Sequence, residues 1–218
     1  MDSFKESSLE SRLAAMEQYQ SALPGSLGER YLRWRGIAFE VARNLGIGFA
    51  ADGRWAHVDP RTGRPLRQWK HGRVVFPHTD PEGRLVNLYG RAVGGDSVPK
   101  QVRHDHLTGS KGYFNGGAIC RGTGPLYVCE GPFDAAALMT AGIPRVLAIF
   151  GVNGWRWDWM RSVREIVFAF DADDAGERWR AFAQEAILRG KKVSFLPPSA
   201  LGGAKDINEA WVKGTLAL

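Results

Sequence analysis

Three acidic segments in the second half of the chain have the spacing that chemistry needs. Leu126-Tyr-Val-Cys-Glu130 is an apolar run that ends in a carboxylate, and Phe168-Ala-Phe-Asp171-Ala-Asp173 ends in two. A short apolar run of this kind reads as a buried strand, and the residues after it as a helix start. Glu130 and Asp171 are therefore expected where strand gives way to helix. In a parallel sheet those points share the carboxyl edge, where ligands bind. Asp173, two residues on, can reach the same region as the strand ends. The segment Gly202-Gly-Ala-Lys205-Asp206-Ile-Asn208-Glu209 follows the fourth apolar run and brings Asp206 to that edge. Carboxylates gathered at one place repel each other unless a cation stands among them. Mg²⁺ suits such a site, because it is hard, takes oxygen ligands and keeps waters that a phosphate can replace. Blander roles exist: Asp134, Asp173 and Asp174 could each cap a helix. Glu130 resists that reading, since a carboxylate closing a buried strand is costly unless it is paired or metal-bound.

The elements that must position these acids alternate. Strands are expected at Leu126–Glu130, Arg145–Phe150, Glu165–Phe170 and Lys192–Leu196. Helices are expected at Phe133–Ala141, Trp155–Val163, Ala175–Arg189 and Ile207–Val212. This alternation argues for βαβ units and a mostly parallel four-stranded sheet flanked by helices. Upstream the pattern differs. Leu9, Leu13, Met16 and Tyr19 give helical spacing within Ser3–Leu23, and short helices end at Gly36 and Gly46. Val74–Pro77 and Arg84–Tyr89 flank Asp80-Pro-Glu-Gly83, a hairpin signal. A loop is expected from Gly94 to Gly112, carrying Lys100, Arg103, His104, His106 and Lys111. The fold expected is thus an α+β N-terminal basic subdomain (1–122) followed by an α/β domain (123–218), with Gly124-Pro125 at the boundary.

Charge follows the same division. Of a net +6, Met1–Gly122 holds 18 Lys+Arg against 12 Asp+Glu, and the remainder balances at 11 against 11. The excess points to an anionic partner for the first half, with nucleic acid foremost. Two cysteines, with no CxxC pair, encode neither a disulfide framework nor a zinc ribbon. His104, His106, Cys120 and Cys129 lack a zinc-ligand spacing, so no zinc is expected in this chain. Met1–Gln20 is polar, and no apolar run approaches the ~20 residues of a membrane helix. A cytoplasmic protein without a membrane partner is expected.

Val128-Cys-Glu130-Gly-Pro-Phe-Asp134, followed by Phe170-Asp171-Ala-Asp173-Asp-Ala-Gly176 and a final Lys205-Asp206, resembles the Toprim domain shared by topoisomerases and DnaG-type primases. Tyr31-Leu-Arg-Trp-Arg-Gly36-Ile37, Leu45-Gly-Ile-Gly48-Phe49-Ala50, Gly83–Ala92 and Pro99-Lys100 are similar to the basic motifs of the primase catalytic core. The resemblance implies an enzyme, a nucleotidyltransferase that makes RNA primers on single-stranded DNA from ribonucleoside triphosphates with Mg²⁺ or Mn²⁺. It implies Glu130, Asp171 and Asp173 as catalytic or metal acids, with Asp206 assisting the metal. Arg91, Lys100, Lys111, Asp134 and Lys205 would contact nucleotide or template. The chain departs from the family at Asp206-Ile-Asn208, where two aspartates are common, and at Gln101–His106, where Tyr-Leu-Asn-Ser is usual. The family's zinc-binding and helicase-interacting domains find no counterpart, which implies a small phage or mobile-element primase or a piece of a longer one. A replicative helicase or a zinc module acting in trans is then an expected partner. The rival readings are a Toprim nuclease, which would not need the first-half basic motifs, and a DNA-binding replication or recombination adaptor, which would not need all the acids.

Overall fold

The computed structural model describes residues 9–51, 70–171 and 179–218. Asp173, Asp174, Trp55, Trp69 and the start of the expected Ala175–Arg189 helix lie outside them. Helices α1 (Leu9–Ser21), α2 (Leu27–Trp34) and α3 (Phe39–Asn44) open the described chain. Ser26 caps α2 by accepting the Glu29 N–H at 3.2 Å, and Gly36 and Gly46 take positive φ where the next two helices end. In α1 the buried positions are Arg12 and Met16, while the expected Leu9 and Leu13 remain exposed. The helix rests on the first sheet through Met16 and Tyr19, so the apolar stripe is narrower than its spacing suggested.

That first sheet is antiparallel, in the order β1 (Gly48–Ala50), β2 (Arg73–Thr79), β3 (Leu85–Ala92), β4 (His104–His106). The expected hairpin is present: the Gly83 N–H bonds Asp80 O at 3.0 Å and β2 pairs with β3. The stretch expected as a loop, Gly94–Gly112, instead holds α4 (Lys100–Arg103) and β4. His-Asp-His has no apolar alternation, yet Asp105 is buried and Arg91 pairs in register with His104. The buried guanidinium of Arg73 ties this hairpin together, donating to Val102 O at 2.7 Å.

The second sheet is wholly parallel, in the order β6 (Val146–Ala148), β5 (Leu126–Cys129), β7 (Glu165–Ala169), β8 (Lys192–Phe195). Period-2 alternation assigns its two faces. Cys129, Val146, Ala148 and Ala169 turn towards α5 (Pro132–Thr140) and α7 (Ile207–Lys213). Leu126, Val128, Ile166 and Phe168 turn towards α6 (Trp179–Leu188) and a cluster of tryptophans. A sheet covered on both faces explains the near-continuous apolar runs of its inner strands. The expected Trp155–Val163 helix does not form. Arg156 gives its N–H to the Tyr113 hydroxyl at 2.6 Å, while Trp155 stacks on Phe182 at 5.0 Å and Trp159 meets Tyr113 edge-on. Packing of alternate tryptophans outweighs the local helical tendency there.

One segment joins the sheets. Thr79 bridges to Tyr113, and Phe114 exchanges both backbone bonds with Ala148 at 2.9 and 3.1 Å. The approach is so close that a Cβ on Gly112 or Gly116 would stand 2.6 or 2.5 Å from Thr79 O. The core follows the same route: Leu32, Phe76 and Tyr89 of the first half pack in one cluster with Phe133, Leu138 and Ile207 of the second.

Candidate active-site cleft

A cleft of about 680 Å³ opens where the carboxyl edge of the parallel sheet faces β3 and β4. Glu130 follows β5, and its backbone carbonyl accepts the Gly151 N–H at 3.0 Å. Phe150, just after β6, holds φ +54, a left-handed conformation rare for a bulky residue. It is secured by stacking on the buried His78 ring at 3.8 Å. Asp171 arrives past β7, half-buried. Asp206 caps α7, accepting the Glu209 N–H at 2.7 Å. Glu130 after β5, Asp171 after β7 and Asp206 at the start of α7 all line the cleft, as expected.

Asp134 joins them. It is not the cap of α5, since Gly131 occupies that position. It is 7% exposed and accepts the Asn208 backbone N–H at 3.0 Å. Burial, then the charges of Asp171 and Asp206, push its carboxyl up to about 8. The same negative field, after burial itself, drives the Cys129 thiol well above its ordinary range. Among the described residues no three His, Cys, Asp or Glu side chains form a ready-made metal cluster. The residues present still fit a hard divalent ion. The donors are all carboxylate oxygens, and Asp134 carries a penalty that a neighbouring cation would relieve.

The opposite wall is basic. Arg91 on β3 and Arg103 at the end of α4 line it, with Arg35, while Lys205 and Lys213 line the cleft at the border of the acid wall. Lys100 and Lys111 are exposed, and neither is among the cleft-lining residues. His104 holds Arg91 in place: Arg91 Nη1 lies 2.7 Å from His104 Nε2, and Tyr89 Oη lies 2.7 Å from His104 Nδ1. A guanidinium can only donate, so Nε2 accepts and the ring proton sits on Nδ1, directed at the tyrosine oxygen. Burial, then Arg91, Arg103 and Arg73, lower His104 to about 4 and keep it neutral near pH 7. Sequence reasoning counted His104 among scattered loop cations; only the unforeseen pairing of β4 with β3 turns it towards Arg91. Arg35 was missed as well, and no sequence signal marks it beyond its place in the Tyr31–Ile37 motif.

A four-stranded parallel sheet with acids at its carboxyl edge defines a Toprim-type α/β domain, and the Toprim domain family matches residues 125–215. Over most of its length the chain is similar to bacterial DNA primases, and it carries the fold of the DnaG catalytic core. It is 30% identical to the DNA primase of Pseudomonas aeruginosa over 84% of its length, covering 33% of that protein. The chain therefore spans about a third of the length of the curated primases it matches. Among solved structures, the zinc-binding and RNA polymerase domains of the Aquifex aeolicus primase superpose with a TM-score of 0.71 at 22% identity, over 98% of this chain and 60% of that one. A DnaG primase catalytic domain bound to ssDNA superposes with a TM-score of 0.70 at 20% identity, over 95% and 81%.

Proposed function

We propose that the chain synthesises RNA primers on single-stranded DNA. The observation that carries this reading is the two-walled cleft, with Glu130, Asp134, Asp171 and Asp206 on one side and Arg91 and Arg103 on the other. A nucleoside triphosphate has both of the groups such a cleft would separate: a reacting phosphate and a strongly anionic leaving group. In this reading residues 1–122 hold template and nucleotide phosphates, and residues 123–218 hold the acids.

The primer 3′-oxygen attacks the α-phosphorus, a P–O bond forms, the bond to the leaving pyrophosphate breaks and the hydroxyl proton passes to solvent water. Magnesium, or manganese in its place, held by Glu130, Asp171, Asp173 and Asp206 with Asp134 beside them, would make the hydroxyl more acidic and offset charge on the leaving group. Arg91, fixed by neutral His104, and Arg103 take the phosphate oxygens. Lys205 borders the cleft beside Asp206, and Lys100 and Lys111 extend the cationic track along which template phosphates approach. A cytoplasmic location suits a template and substrates found there, and a helicase or zinc module would supply loading in trans. No described helix is long and apolar enough to cross a membrane.

The test is primer synthesis on single-stranded DNA with labelled ribonucleotides and Mg²⁺ or Mn²⁺, with Glu130→Gln alongside. Short RNA products that fall by a hundredfold or more in the variant are expected. Glu130-dependent cutting of the template in their place would mean a nuclease, and salt-sensitive binding alone would mean an adaptor.

A further inference from the structure

Among the described phenylalanine, tyrosine and tryptophan residues that line the cleft, Trp34 leaves the largest share of its ring outside the core. Tyr31, Tyr89 and Phe133 also line the cleft but are only 6%, 4% and 5% exposed, whereas Trp34 is 61% exposed. Phe114 is fully buried in the core. An indole left in water forgoes the burial that makes tryptophan favourable inside proteins.

Its mount is rigid. The Trp34 ring stacks on Tyr31 at 5.6 Å and 28°, and Tyr31 stands edge-on to Phe133 at 5.9 Å. Phe133 lies in the first turn of α5, three residues beyond Glu130. The end of α2 is pinned from α7 twice: Asn208 Nδ2 donates to Arg35 O at 2.8 Å, and Trp211 Nε1 donates to Gly36 O at 2.7 Å. Arg35 lies 4.5 Å from the Phe133 ring and 5.9 Å from that of Trp34. The indole is therefore tied through short contacts to the same two helices that carry Asp134 and Asp206. Gly95 comes close to the outer edge of the ring: a Cβ there would sit 3.7 Å from the indole, an ordinary contact.

We propose that Trp34 is a stacking platform for a nucleobase, with the attached sugar-phosphate running towards Arg91 and Arg103. This rests on the polymerase reading above and adds to it a base-binding subsite. The π face of any base suits an indole, so the contact is tolerant of sequence. A base could come from the template strand or from the incoming nucleoside triphosphate, and the two sources separate by experiment.

Binding of a labelled oligodeoxynucleotide is measured by fluorescence anisotropy for the wild type, Trp34→Ala and Trp34→Phe, beside an oligomer whose sites are all abasic. Binding of a nucleoside triphosphate without DNA is measured in parallel. Trp34→Ala is expected to weaken one of the base-bearing ligands about 5- to 100-fold. Trp34→Phe should recover part of the loss, and the abasic oligomer should bind wild type and Trp34→Ala alike. Loss on the oligonucleotide alone identifies a template base; loss on the triphosphate alone identifies an incoming base. Unchanged affinity for both ligands, or an equal loss on the abasic oligomer, overturns the platform. Wild-type protein that makes no primers while showing the base-dependent loss would overturn the polymerase reading and leave the platform standing.

Discussion

At the scale of single residues, the cleft holds Asp134 and His104 away from their ordinary ionisation. Asp134 shows the consequence most directly. Its folded value of about 8 lies above the ordinary carboxyl value of about 3.9. The folded protein thus keeps a proton that the unfolded chain has released. The contribution of Asp134 to stability is full below about pH 4 and is lost as pH rises through about 8. Asp134→Asn should remove that loss, because the amide oxygen can still accept the Asn208 N–H and carries no charge. In thermal denaturation with chelator present, the variant should melt several degrees above wild type at pH 8.5 and close to it at pH 4. Added Mg²⁺ should raise the wild-type midpoint at pH 8.5 by more than the variant's, because in wild type it also offsets the buried Asp134 charge. Parallel pH profiles for the two proteins would contradict this account. Glu130, Asp171 and Asp206 were legible in the sequence because each ends or follows an apolar run. Asp134 was legible only as a nucleotide or template contact that the resemblance implies; its place among the acids was not, because an acid in the first turn of a helix looks the same whether it caps that helix or faces other acids. His104 was not, because its partner Arg91 is 13 residues away and the pairing needs a three-residue strand without apolar alternation.

At the scale of elements, α7 has two duties that one residue links. Asp206 accepts the Glu209 N–H as the helix cap and also presents its carboxylate to the cleft. The helix in turn pins the end of α2 and, through the Asn208 N–H, orients Asp134. The duties separate by substitution. Asp206→Ala should lose the cap, about 1 kcal/mol, which lowers the melting temperature by about 2–4 °C in a chain of this size. Asp206→Ser should retain a capping oxygen and melt within a degree or so of wild type in chelator. Both should lose most of the stabilisation by Mg²⁺, a pattern read by melting each protein with and without the ion. If Asp206→Ser keeps the full Mg²⁺ response, Asp206 is a cap and nothing more. The βαβ alternation that puts α7 here was legible because β5, β6 and β7 are largely apolar runs followed closely by glycine or acid. The region from Trp155 to Val163 misled for a related reason. Its tryptophans alternate along a turn-rich strap, and their packing on Phe182 and Tyr113 is long-range information that local periodicity does not hold.

At the scale of the whole molecule, the charge asymmetry of the sequence becomes a polarity across the cleft. The excess of +6 lies in residues 1–122, and the wall those residues build holds Arg35, Arg91 and Arg103. The facing wall holds Glu130, Asp134, Asp171 and Asp206, with Lys205 and Lys213 at its border. A polyanion without divalent cations should therefore meet repulsion from one wall and attraction from the other. It should bind mainly through counterion release along the basic wall. For single strands, log K should fall with log salt at a slope of about −0.7 per phosphate neutralised. Arg91→Ala should make that slope shallower by about 0.7 and weaken binding to base-bearing and abasic strands alike. His104→Ala should act in the same direction but less, because it frees Arg91 without removing its charge. Where the stacked base is one of the template strand, Trp34→Ala should lower affinity at every salt concentration with the slope unchanged, since stacking releases no counterions. Titrations of one oligonucleotide over a range of monovalent salt, in chelator, give all four slopes. If Arg91→Ala left the slope at its wild-type value, phosphates would pass elsewhere, with exposed Lys100 and Lys111 the next positions to substitute. The first-half charge would then guide approach to the protein and have no direct part in the cleft.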